Sequence, residues 1–232
     1  MSVVNLVDHP VYLYAEVDRL IGLSAGTARR WINGYERGGK FYEPILRVSP
    51  SDTEWATWGE FVEARMLAAY RDSKIPTVRL CEAVAALRAT FDLQHPLAHL
   101  RPYLTAEQGE IVIELKGMDA SDEAGLMVVR NSQLLLGEPS RSVIESAVLA
   151  RDERGEQFAV ELTPDSRFPG IVLNPDRHGG EPTFAGRRVP VTVIAGMVAA
   201  GEDHADLAAD YGLSLAQVQE AVDYVAEYGM SA

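Results

Sequence analysis

The sequence predicts an α+β protein whose elements come in blocks: helices, then strands, then helices again. Three observations predict it. Apolar residues recur at helical spacing as far as about Phe91. The period then shortens to two, as in EIVIEL from Glu110 to Leu115. After Pro164, Phe168, Pro169 and Gly170, a turn-forming stretch, the helical period returns. These changes divide the chain into a helical region 1–100, a small β region 101–168 and a C-terminal region 169–232.

The elements follow in order. Val17, Leu20 and Ile21 give a first helix over residues 14–21, and Gly22 stops it. Ser24 is the expected cap of a second helix that carries Ala28, Trp31 and Ile32 on one face. Gly34, Gly38 and Gly39 end that helix. Residues 41–48, aromatic and β-branched but broken by Pro44, read as an edge strand or wing. A helix is expected over 53–70, with Trp58, Phe61, Val62, Arg65, Met66 and Ala69 as its stripe. Another is expected from Ile75–Pro76 to Phe91. In the middle, residues 110–115 and 126–130 read as strands. Residues 148–151 and 158–162 read as a hairpin around the charged turn 152–156, all within one small antiparallel sheet. Residues 171–173 add a short strand. Helices are expected over 191–200, 203–211 and 214–228, the last with Leu215, Val218, Val222 and Val225 on one face.

Composition bounds the function. Of 232 residues 47% are hydrophobic and 24% charged, an ordinary globular balance. A single cysteine, Cys81, excludes an internal disulfide and a thiolate zinc site. No signal-peptide pattern opens the chain and no apolar run reaches the ~18 residues of a membrane span, so a cytoplasmic protein without membrane contact is expected. The longest candidate, residues 189–201, is broken by Pro190, Gly196 and Gly201. The net charge is −13, yet Arg19, Arg29, Arg30, Arg37 and Lys40 stand against only Glu36 between residues 19 and 40. Binding of a polyanion depends on where charge sits, so this local basic segment outweighs the total.

That segment has the organisation of a DNA reader. Two short helices are joined by Gly22-Leu23-Ser24, and the second offers Ser24, Thr27, Arg29 and Arg30 near its start. Such a helix can enter the major groove, where an arginine fork binds guanine or phosphate in a bidentate way. Arg37-Gly38-Gly39-Lys40 would be a flexible basic loop at the wing, against the DNA backbone. The competing reading is a plain helical hairpin with solvated arginines. The pattern Glu16-Val17-xx-Leu20-x-Gly22-Leu23-Ser24, then Thr27-x-Arg29-x-Trp31, resembles the DNA-binding domain of MerR-type regulators over residues 11–91. The resemblance implies a winged helix-turn-helix that binds double-stranded operator DNA as a homodimer. The family's long coiled-coil helix has no counterpart after Phe91. The stripe from Trp58 to Ala69 and the apolar helix 78–87 are candidate dimer surfaces, or core.

The second motif is NPDRHGGEPTFAGRRVPV, residues 174–191, a chain of turns flanked by stiffening prolines. Pro175, Gly180, Pro182, Gly186, Arg187, Val189, Pro190 and Val191 resemble the domain of unknown function 433 family over residues 171–228. The resemblance implies a trihelical domain and an antitoxin of the VapBC kind, which binds a PIN-like ribonuclease toxin and represses its own operon. Asp203, Asp206 and Asp210, at helical spacing, are candidate toxin contacts, as are Arg187 and Arg188. The same two arginines would instead hold phosphates if this were a second DNA-reading head. His178 is read as a loop residue ahead of a toxin contact or metal ligand.

No catalysis is expected. A PIN-type nuclease needs converging carboxylates on an alternating α/β fold, whereas here the elements come in blocks. No nucleophile signature of the G-x-S-x-G kind is present. No cofactor or metal is expected. Two other readings compete with the antitoxin. One is a ligand-responsive MerR-type regulator with the β region as sensor and no toxin partner. The other is a structural adaptor with a vestigial helix-turn-helix.

Overall fold

The computed structural model describes residues 4–69, 81–82, 84–85, 87–89, 92–99, 111–114, 133–136, 143–151, 155 and 157–229. Among them the fold is mixed α+β, and each sheet is a two-stranded antiparallel pair. No helix among the described residues is long and apolar enough to cross a membrane.

The chain opens with α1 (Val4–Val7) and β1 (Pro10–Leu13). α2 (Tyr14–Leu20) follows without a break, because the Glu16 carboxylate accepts the Leu13 N–H at 2.7 Å and Val17 and Leu20 face the core. Gly22 turns the chain at φ 66° and α3 (Thr27–Asn33) begins. Ser24 does not cap α3: the capping position is Gly26, at φ 75°, and no side chain of that residue can serve. A carboxylate from α2 replaces it, as described below. The strand pairing also lies earlier than the stretch 41–48 expected to form an edge strand or wing. β2 (Tyr35–Arg37) and β3 (Lys40–Tyr42) pair around Gly38-Gly39, both at positive φ, so the supposed flexible loop is a tight two-residue turn.

β4 (Trp55–Thr57) pairs with β1, and α4 (Trp58–Ala68) starts only after it. The expected helical start at Thr53 was early, because the Thr57 hydroxyl accepts the Glu60 N–H and caps the helix there. The stripe on α4 is not a free dimer surface. Trp58, Phe61, Val62 and Met66 are all essentially inaccessible within the single chain. Even Glu60 and Glu63 on this helix are buried, held by Arg47 and by His95 with the Leu97 N–H. The next expected helix, residues 75–91, falls mostly outside the described residues, as does the strand expected over 126–130.

In the middle region β5 (Ile111–Glu114) pairs with β6 (Gln133–Leu136), a strand the sequence pattern did not mark. β7 (Val148–Arg151) pairs antiparallel with β8 (Gln157–Glu161), the hairpin expected there. Among the described residues these pairs are separate, not one sheet. Phe158, Ala159 and Leu162 join the core of the N-terminal helices, and Trp58 Nε1 donates to the Ala159 carbonyl at 2.6 Å.

β9 (Ile171–Val172) pairs with β10 (Thr183–Phe184) beneath α5 (Val191–Ala199), α6 (His204–Tyr211) and α7 (Leu215–Tyr228). A second core forms here from Ile171, Phe184, Ile194, Leu207, Val218 and Tyr224. Gly212, at φ 63°, ends α6, and Ser214 with Gln217 makes a capping box that starts α7. The turn-rich segment before this core is fastened to it: the Glu220 carboxylate accepts the Gly170 N–H, and Asp165 is held by Arg167 and Tyr228.

Candidate nucleic-acid interface

The N-terminal candidates are set by the packing of α3. Ala28 and Ile32 are fully buried, which turns Arg29 and Arg30 outward. Arg29 pairs with Glu54 at 3.3 Å, with both side chains about 60% exposed, so the pair is open to exchange with another anion. Arg30 donates to the Thr27 hydroxyl at 2.9 Å. Ser24 is exposed and its carbonyl accepts the Thr27 N–H. On the hairpin Arg37 lies directly opposite Lys40. Like charges in that register repel, and the one acid within the two strands, Glu36, stands opposite Phe41 and not between them. Lys40 Nζ lies 5.3 Å from the Tyr42 ring centroid, and Tyr42 stacks on Tyr35 at 4.8 Å.

α3, the hairpin and residues 50–52 enclose an open cleft of about 670 Å³, lined by Arg29, Arg30, Asn33, Tyr35, Phe41 and Asp52 among others. Its floor is held by Arg47, which makes a bidentate contact with Glu60 at 2.6 and 2.8 Å and also reaches Tyr14 and Ser51. Asn33 and Ser51 exchange two further hydrogen bonds. Arg47 is therefore a structural arginine. The sequence reading did not single it out, and neither did it single out Asp18, which is 5% exposed on α2. Asp18 accepts the N–H groups of Gly26 at 2.6 Å and Ala28 at 2.7 Å. Burial raises its pKa above the ordinary carboxylate value, and the bonds from Ala28 and Gly26 offset this only in part. The signal for Asp18 was an acid set among the apolar positions Val17, Leu20 and Ile21; its partners eight and ten residues on were not readable.

The C-terminal candidates take different roles. Asp203 caps α6, accepting the Ala205 N–H at 2.7 Å and the Asp206 N–H at 3.2 Å. Asp206 and Asp210 are exposed on the same helix. The Arg187 guanidinium lies over Gly212, where a β-carbon would come within 3.1 Å of it. It thus sits at the C-terminal end of α6, where a cation is favoured. Arg188 is exposed, and no described residue pairs with its side chain. His178 Nε2 lies 2.7 Å from the Arg188 carbonyl, so that nitrogen carries the proton, and the residue works as a loop tie.

The loop between Asn174 and Gly180 is fastened inward at Asn174, Arg177 and Gly180, while Asp176, His178 and Gly179 are exposed. Asn174 and Arg177 both bind Glu161 on β8. Tyr12 of β1 donates its hydroxyl to the Gly180 carbonyl at 2.6 Å. The most distinctive motif in the sequence is thus a joint between the C-terminal helices and the strand that leads into α2.

Residues 171–225 match the family described as "Protein of unknown function (DUF433)". Across 236 aligned residues the chain is 53% identical to "Uncharacterized protein Rv2308" of Mycobacterium tuberculosis, covering all of this chain and 96% of that one. It is 27% identical to "Putative antitoxin VapB45" of the same organism, over 94% of this chain and 95% of the relative. The crystal structure of Rv2018 from Mycobacterium tuberculosis has the same fold, with a TM-score of 0.64 at 22% identity, over 92% of this chain and 97% of that one.

Proposed function

This chain belongs to the same family as Rv2308 of Mycobacterium tuberculosis, and from that premise we propose that it is the antitoxin and autorepressor of a bacterial toxin–antitoxin pair. The observation that carries the reading is the near full-length similarity to the relative named "Putative antitoxin VapB45", which spans both the N-terminal head and the C-terminal helices. The DUF433 match supports the same reading.

The N-terminal unit reads operator DNA as a winged helix-turn-helix of MerR type. α3 enters the major groove and presents Thr27, Arg29 and Arg30 to base edges and phosphates. The β2–β3 hairpin sets Arg37 and Lys40 against the backbone. A phosphate between these opposed cations would relieve their repulsion, which favours a polyanion over a protein at this face. The protein acts as a cytoplasmic homodimer matched to a palindromic site. It performs no chemistry of its own.

The C-terminal unit holds the toxin, a PIN-like ribonuclease. Residues 191–232 contain no lysine or arginine and carry Glu202, Asp203, Asp206, Asp210, Glu220, Asp223 and Glu227. Such helices are repelled by a nucleic acid and attracted by the cationic RNA-binding face of a nuclease. Arg188, unlike Arg187, is free to reach a nuclease carboxylate.

Two measurements test the proposal. Co-expression with the adjacent gene should relieve a growth arrest that this gene causes alone, and the full-length protein should retard its own promoter fragment. The Arg29→Ala and Arg30→Ala variants should each weaken that binding by about 1–3 kcal/mol. An adjacent gene without toxicity, together with no promoter binding, would remove the reading.

A further inference from the structure

We infer that Asp18 is the positioning residue of the reading helix, fixing the angle at which α3 leaves the turn and so the sequence specificity of the head. This rests on the DNA-reading function proposed above. Asp18 spans the whole connection between the helices. Its main-chain carbonyl accepts the Leu23 N–H at 2.7 Å, and its carboxylate accepts Gly26 and Ala28 at the start of α3. The helix has no cap of its own, since its capping position is a glycine in the left-handed region. The side-chain anchors at its N-terminal end therefore come from Asp18 of the preceding helix, and the Ser24 carbonyl in the turn accepts the Thr27 N–H. Between the two anchored amides stands Thr27, whose hydroxyl accepts from Arg30. A shift of α3 would carry Thr27, Arg29 and Arg30 together.

The acid is held at an energetic cost. Burial disfavours its charge, and an apolar residue at this site would avoid that desolvation while leaving the turn unclamped. A buried carboxylate that carries this cost, and whose side-chain bonds all go to the start of one helix, is explained by geometry rather than by net stability.

The test uses the full-length protein and its Asp18→Asn and Asp18→Ser variants. Asparagine keeps the shape but turns a donor toward one of the two amides; serine keeps a single short acceptor. Binding is measured by fluorescence anisotropy to the promoter fragment and to a scrambled duplex of equal length. Amide exchange at Gly26 and Ala28 is followed by NMR. Operator affinity should fall about tenfold or more, the size of one lost base contact. Scrambled-duplex affinity should stay within about twofold and keep its salt slope, because the phosphate contacts persist. Exchange at both amides should accelerate.

A purely structural acid would reduce the active fraction and lower both affinities by the same factor, which would overturn the inference. So would unchanged operator binding with accelerated exchange. Wild-type protein that binds both duplexes equally would instead overturn the DNA-reading function, and the exchange data would still report whether Asp18 clamps the turn.

Discussion

Single residues in this protein divide into those that hold the fold and those left free to bind, and the division cuts across the sequence motifs. Arg187 and Arg188 are neighbours of identical chemistry. One lies over the Gly212 turn at the end of α6, and the other has no described partner. Arg187→Ala should therefore lower the melting temperature, whereas Arg188→Ala should leave it unchanged and weaken capture of the toxin in a pull-down with the full-length protein. Equal effects of the two on melting would contradict this assignment. Gly180 is the sharper case. Its φ is +90°, and a β-carbon there would come within 2.6 Å of Val11 and 2.7 Å of the Tyr12 hydroxyl. Gly180→Ala should cost at least about 2 kcal/mol from the backbone conformation and the forced separation of the joint. Denaturant unfolding measures it. The motif glycines at 179 and 186 meet nothing within 4 Å, so their substitution carries only the backbone term.

At the scale of elements, caps account for where helices begin, and three different devices are used. α4 and α7 carry local hydroxyl caps, α6 a local carboxylate, and α3 a carboxylate from another helix. The three acids proposed on α6 are consequently not equivalent. Asp203→Ala should destabilise the protein by about 1 kcal/mol through loss of the cap. Asp206→Asn and Asp210→Asn should leave thermal unfolding unchanged and slow association with a cationic toxin, most visibly at low salt. Stopped-flow binding at two ionic strengths separates these outcomes. If Asp206 and Asp210 prove silent at both, the docking face lies elsewhere on the C-terminal helices.

For the molecule as a whole, one buried ion cluster ties the N-terminus, α4 and the segment before Leu97 together. His95 sits 3.2 Å from Glu63 and 3.6 Å from Asp8. Burial alone would lower its pKa, but hydrogen bonds to Asp8 and Glu63 outweigh that and raise it to about 9, from an ordinary 6.5. Because the folded-state value is the higher one, the stabilisation is complete below about pH 6.5 and is lost as pH rises through about 9. The melting temperature of the wild type should fall between pH 7 and pH 9.5 by more than that of His95→Gln. Parallel slopes for the two proteins would show that His95 does not carry the charge. The same holds for assembly. The α4 stripe offered as a dimer surface is used up inside the chain, so the proposed homodimer, tested by a light-scattering mass of twice the 25.4 kDa of one chain, would have to use another surface.

The sequence by itself determined the order of elements and the character of both ends. Period-3.6 and period-2 patterns report local backbone geometry, and this is why α2, the β7–β8 hairpin and the three C-terminal helices fall where their patterns place them. Basic charge over residues 19–40 and its absence after 191 are likewise composition, legible without a fold. What the sequence could not carry were facts that depend on distant partners. The α4 stripe looked amphipathic, but Glu60 and Glu63 on its polar face are paired with Arg47 and His95, brought in from 13 and 32 residues away, so all of the helix but Arg65 and Ala68 is buried. Ser24 looked like a cap, but Asp18 reaches the helix first. The motif from Asn174 to Gly180 read only as a chain of turns; that Tyr12, 168 residues earlier, claims its Gly180 carbonyl depends on the fold. Local pattern fixes what a segment becomes; only tertiary packing decides which of its polar groups are spent on the fold and which are left for a partner.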